Sequence, residues 1–109
     1  MAAQQTSLGD ELNAFASGVL DLLLATEDVK QAKRLRSLLE KAHTRIAQLV
    51  EGNVKEATAE YQAATAGVEK ANQAIDKATN DLSKTADAID KIAKAVDLLA
   101  KLAKAIGVA

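Results

Sequence analysis

VKEATAEYQAATAGVEKANQAIDKATNDLSKTADAIDKIAKAVDLLAKLAKAI, residues 54–106, is the stretch whose reading decides the fold. Along it Val54, Tyr61, Val68, Ile75, Leu82, Ile89, Val96 and Ala103 recur every seven residues without a slip. Three residues after each come Ala57, Ala64, Ala71, Ala78, Thr85, Ile92, Leu99 and Ile106. Apolar residues at the a and d positions of a heptad place one stripe along a helix and ask for a second helix to cover it. The small d residues of the first half admit a close partner, and the larger ones of the second half need more room. The phase continues through Gly67, which loses about 1 kcal/mol of helix propensity against Ala. It also continues through Thr79-Asn80-Asp81, where Asn80 or Asp81 can cap a separate helix. The unbroken phase predicts one helix, roughly 80 Å long at the usual rise per residue.

Upstream, Ser7 can cap a helix whose apolar face is Leu8, Leu12, Phe15, Val19, Leu22 and Leu23, with Leu20 and Leu24 widening that face near its end. Thr26-Glu27-Asp28 reads as a second start, Thr26 capping and the two acids complementing the helix dipole. Val29, Ala32, Leu35, Leu38, Leu39, Ala42, Ile46, Leu49 and Val50 form the next apolar face. Gly52-Asn53 is the strong stop, because both residues tolerate the left-handed conformation that ends helices.

The expected fold is all-α, a single domain over residues 1–109: an antiparallel helical hairpin or coiled coil with one long C-terminal helix. Helix 1 covers about 7–25, helix 2 about 27–51, the turn 52–53 and helix 3 about 54–106. The alternative is a compact four-helix bundle with turns near residues 26, 52 and 80. In the hairpin, residues 29–51 run antiparallel to 54–78, with Leu35, Leu39, Ile46 and Leu49 facing Ala57, Ala64, Ala71 and Ala78, and helix 1 falls opposite the C-terminal half of helix 3. The plan of two helical arms about a central Gly resembles the small secreted helical hairpins that carry a Trp-x-Gly turn. Glu51-Gly52-Asn53 stands where that motif would be and the chain has no Trp, so the likeness implies a helical plan and no activity.

Composition supports helices and narrows chemistry. Of 109 residues 24 are Ala, none is Pro, Cys or Trp, and Phe15 and Tyr61 are the only aromatics. Ala is the strongest helix former, and a core of Ala, Val, Ile and Leu suits close helix packing. With no Cys, disulfides and thiolate chemistry are excluded. Met1-Ala2-Ala3-Gln4-Gln5 lacks the basic start of a signal peptide, and the apolar run Val19–Ala25 is too short to span a bilayer. The expectation is a cytoplasmic protein, with export lacking a cleaved signal as the alternative. The net charge of −1 is unevenly spread. Residues 1–28 hold Asp10, Glu11, Asp21, Glu27 and Asp28 and no base, whereas residues 29–51 hold Lys30, Lys33, Arg34, Arg36, Lys41 and Arg45 against Glu40 and Glu51. Such segregation favours pairing between helices of the protein over a polyanion footprint.

No enzyme is expected, and no cofactor or metal. His43 is the only histidine and sits at the edge of an apolar face, without the converging ligands a metal needs. The acid pairs Asp10-Glu11 and Glu27-Asp28 lie near helix starts, where acids belong. Glu56 and Glu60 share a helix face without a pocket to perturb them. Phosphate loops and nucleophile motifs are absent from the sequence. Lys30, Arg34, Lys41 and Arg45 fall on one face of helix 2 and can follow phosphates. No aromatic is interleaved for base stacking, so a solvated face is expected before a nucleic-acid site. Residues 96–106 carry an apolar arc of roughly 200°, wider than one core face requires, opposite Lys94, Lys101 and Lys104. That is the pattern of a helix lying on a membrane surface, or of one buried between several neighbours.

The expected function is structural: protein–protein interaction through helix packing and self-association. A membrane-active or secreted helical protein is the alternative, and weak nucleic-acid binding the third. The expected interface gathers Val19, Leu20, Leu23, Leu24, Leu98, Leu99, Leu102 and Ile106 at the end distal to Gly52, forming a homo-oligomer, most simply a dimer, or clasping a partner helix.

Overall fold

Short polar side chains that bond to nearby backbone mark several of the helix boundaries. A computed structural model describes residues 8–51 and 59–107, and no strand occurs among them. Four α-helices follow in order: α1 (Leu8–Ala25), α2 (Val29–Glu51), α3 (Ala59–Asn80) and α4 (Thr85–Ala105), with one 3-10 turn at Leu82–Lys84. At the end of α1 the Thr26 hydroxyl donates back to the Leu22 carbonyl at 2.6 Å, so Thr26 closes α1 and does not open α2. The cap of α2 is Asp28, whose Oδ1 accepts the Gln31 N–H at 2.8 Å while its carbonyl accepts that of Ala32 at 2.9 Å. Helix 2 therefore begins two residues later than the 27–51 expected from sequence.

The long helix over 54–106 is corrected: the chain breaks at Asp81. Asp81 is extended, with φ −147° and ψ 97°. Its Oδ1 accepts both the Ser83 N–H at 3.1 Å and the Ser83 hydroxyl at 2.7 Å. Asn80 Nδ2 donates to the Asp76 carbonyl at 3.0 Å, and the Thr85 hydroxyl donates to Leu82 O at 2.7 Å. Three of the six residues from Asn80 to Thr85, Asn80, Asp81 and Thr85, offer the backbone local side-chain partners, and together they outcompete one more helical turn. Ser83 also holds the Asp81 carboxyl below the usual carboxylate range, through its side-chain hydroxyl first and its backbone N–H second.

Breaking the helix folds the seam back on itself, and the compact bundle is the architecture found. Val68, Ile75, Ile89, Val96 and Ala103 are buried, as are Ala64, Ala71, Ala78, Thr85, Ile92 and Leu99. Tyr61 and Ile106 are half-buried, and Leu82, on the 3-10 turn, is exposed. Val54, Ala57, Glu56 and the expected turn at Gly52-Asn53 lie outside the described residues. The longest dimension is 39 Å and the thinnest 18 Å, room for two helix layers and far short of an 80 Å rod.

Helix α1 packs on α2 and α3, and α4 packs on α2 and α3, so α1 and α4 occupy opposite corners, as do α2 and α3. Two sequence expectations fall with this arrangement. Residues 29–51 do not take α3 as their main partner, and helix 1 does not lie along α4. Once α4 turns back, it and α1 cover the small-residue face of α3, leaving α2 the flank of α4. The core draws Leu8, Leu12, Phe15, Val19 and Leu22 from α1, Leu35, Leu38, Ala42 and Leu49 from α2, and the seam residues from α3 and α4.

Two glycines mark close approaches between helices. A Cβ placed on Gly67 would lie 2.5 Å from Leu98 Cδ1 and 3.8 Å from the Ala95 Cα, so the glycine lets α4 approach α3. A Cβ on Gly18 would lie 3.1 Å from Cγ2 of Ile75, the corresponding approach of α1 to α3.

Candidate functional site

Helix α1 carries more leucine than one core face can take. The core uses Leu8, Leu12, Phe15, Val19 and Leu22. Leu20 and Leu24, one turn apart, fall on the remaining arc and stay 43% and 76% exposed, and Val29 at the start of α2 is 66% exposed. The turn between α1 and α2 is only three residues long, so Val29 stands at the same corner as the ridge of Leu20 and Leu24. Asp21, Glu27 and Asp28 are exposed around it, and no base lies between Leu8 and Asp28.

A concave surface of opposite charge lies on the other helical pair. Helices α3 and α4 enclose a groove of about 200 Å³ lined by Ala63, Ala66, Gly67, Lys70, Lys91, Lys94 and Leu98. Its floor is small because Gly67 and the two alanines project little, and Leu98 forms an apolar wall. Among the described residues none of its three lysines is paired with a carboxylate. A second hollow, about 230 Å³, lies along α3 beside Tyr61, Gln62, Thr65, Ala66 and Glu69.

The expected interface is only partly available. Val19, Leu99 and Leu102 are completely buried in the protein's own core, and Leu23, Leu98 and Ile106 are half-buried against it. Leu20 and Leu24 remain at the surface, and Val29 joins them. The grouping fails because α1 and α4 sit at opposite corners. The 200° apolar arc of residues 96–106 is accounted for by burial of Val96, Leu99, Leu102 and Ala103 among neighbouring helices.

The basic stripe is solvated. Lys30, Arg34 and Lys41 are exposed, and the half-buried Arg45 donates from Nη1 to Gln48 Oε1 at 3.0 Å. His43 is exposed. No cluster of three potential metal ligands occurs among the described residues, and none of their helices is long and apolar enough to cross a membrane.

Sequence reading missed the groove. Its two sides stand about thirty residues apart in the chain, and they meet only because the break at Asp81 turns α4 back. The available signal was local: Ala63 and Gly67 at helical spacing, and Lys91 with Lys94 on one face of the next helix. Against known proteins the chain stands without a match, whether the comparison is with family models, curated sequences or solved structures.

Proposed function

We propose that this protein is a non-enzymatic interaction module that works by packing helices and associates with itself through the exposed corner of α1 and α2. The observation that carries this reading is the ridge of Leu20, Leu24 and Val29. Large apolar side chains clustered on an otherwise well-packed domain mark a contact surface. The fold supplies rigid helices to present it, and the bundle leaves the ridge uncovered. An acidic border disfavours an anionic membrane and favours a protein partner.

Sedimentation of the unmodified chain beside Leu20→Glu with Leu24→Glu tests the reading. Both positions are exposed, so the double variant should stay folded, with an unchanged helical circular dichroism spectrum. The expected result is concentration-dependent association of the parent and a monomeric variant. Association unaltered by the substitutions would overturn the ridge as the contact.

A further inference from the structure

The ridge projects and is bordered by acids, the groove is concave and lined by lysines, and both are carried by one chain. The ridge projects Leu20 and Leu24 with Asp21 and Glu27 beside them. The groove is concave, its floor is alanine and glycine, and Lys70, Lys91 and Lys94 line it. The ridge belongs to α1 and the start of α2, the groove to α3 and α4 alone, and the exposure of Leu24 and Val29 means that the ridge does not sit in the groove of its own molecule.

We propose that the lysine-lined groove of α3 and α4 receives the Leu20–Leu24 ridge of a second copy of this chain. This rests on the self-association proposed above and names the surface that the ridge meets. Two leucines one helical turn apart enter the groove beside Gly67 and lie against Leu98, while Asp21 and Glu27 approach lysines that have no acidic partner among the described residues of their own molecule. The contact is heterologous, since ridge meets groove and not ridge. Assembly then continues to rings or chains unless the rotation closes at two. The second copy is favoured over a foreign acidic helix because the two surfaces match on the same molecule, whose net charge is only −1.

The experiment is a charge exchange read by sedimentation equilibrium over a concentration series, with circular dichroism confirming the fold of each variant. One variant carries Lys91→Glu and Lys94→Glu, another Asp21→Lys and Glu27→Lys. Asp28 is left alone because it caps α2. Each variant by itself should associate roughly tenfold more weakly than the parent or worse, as when opposed rim charges become alike. An equimolar mixture should recover association, since each ridge then finds a groove of opposite charge. Parent association should weaken as salt is raised. A third variant, Arg34→Glu with Lys41→Glu on α2, should associate like the parent.

If the lysine variant associates as the parent does while Leu20→Glu with Leu24→Glu is monomeric, self-association through the ridge stands and the groove is not its partner. If only the α2 variant loses association, the basic stripe is the receptor and the groove inference is overturned. A parent that stays monomeric throughout the series overturns both this inference and the self-association beneath it.

Discussion

The Asn72 amide of α3 donates from Nδ2 to two acceptors on one residue of α1, Glu11 Oε2 at 3.0 Å and the Glu11 carbonyl at 3.3 Å. This pair ties the first turns of α1 to the middle of α3. Asn72 Oδ1 is buried without a partner, and turning the amide over would set that oxygen against two acceptors.

The pair distinguishes two substitutions. Asn72→Ala removes both hydrogen bonds together with the unsatisfied oxygen, so the effects oppose and the net change should stay within about 1 kcal/mol. Asn72→Asp replaces the donor by a carboxylate beside another, and should destabilise more. The new carboxyl's folded pKa is raised by its neighbour, so its penalty applies above that pKa and is relieved as pH falls towards ~4. Urea unfolding of both variants at neutral and acid pH measures the difference. Equal stabilities at neutral pH would show that the contact does not form.

The two close glycines should respond with opposite sign. At Gly67 the obstructing atom is the tip of Leu98, the far end of a flexible, half-buried side chain. Gly67→Ala should therefore keep most of the ~1 kcal/mol of helix propensity it gains. At Gly18 the obstruction is Ile75, buried in the core. Gly18→Ala should lose more to crowding than it gains, for a net cost on the scale of ~1 kcal/mol. Thermal melts of the two variants side by side decide the matter.

The turn before α4 should weaken in acid. The Asp81 carboxyl is held below its ordinary pKa by Ser83, so its contribution is present above the unfolded pKa and is lost as pH falls through the folded one. Asp81→Ala should lower the melting midpoint at neutral pH and make little difference in strong acid, where the parent's carboxyl is already protonated. A stability gap between parent and variant that persists at low pH would contradict the role of the charged form.

Joining α3 to α4 should convert the fold. The heptad phase is the same on both sides of the break, so straightening it leaves the seam in register. Replacing Asn80 and Asp81 by Ala removes the Asn80 and Asp81 side-chain bonds and adds the best helix former. Helix α4 would then extend away from its own α3, exposing the seam, and a second copy would cover it as a domain-swapped dimer. Small-angle scattering should show a particle much longer than the 39 Å of the parent. A variant that remains monomeric and equally compact would show that tertiary packing alone holds the break.

Helicity and the buried stripe were legible in the chain itself. Heptad spacing places Val68, Ile75, Ile89 and Val96 on one face whatever covers that face, because side-chain direction follows from the backbone period. The buried faces of α1 and α2 were readable for the same reason. What the chain did not disclose is which helix covers which. A seven-residue repeat is satisfied equally by a separate helix and by its own second half, and a handful of local bonds around Asp81 chose between them. That choice sent α1 and α4 to opposite corners, buried Leu99 and Leu102, left Leu20, Leu24 and Val29 outside, and brought Lys70 across from Lys91 and Lys94 around Gly67. Periodicity is a property of one helix and can be read along it. A surface shared by two helices depends on the turn that pairs them, and only the folded molecule specifies that.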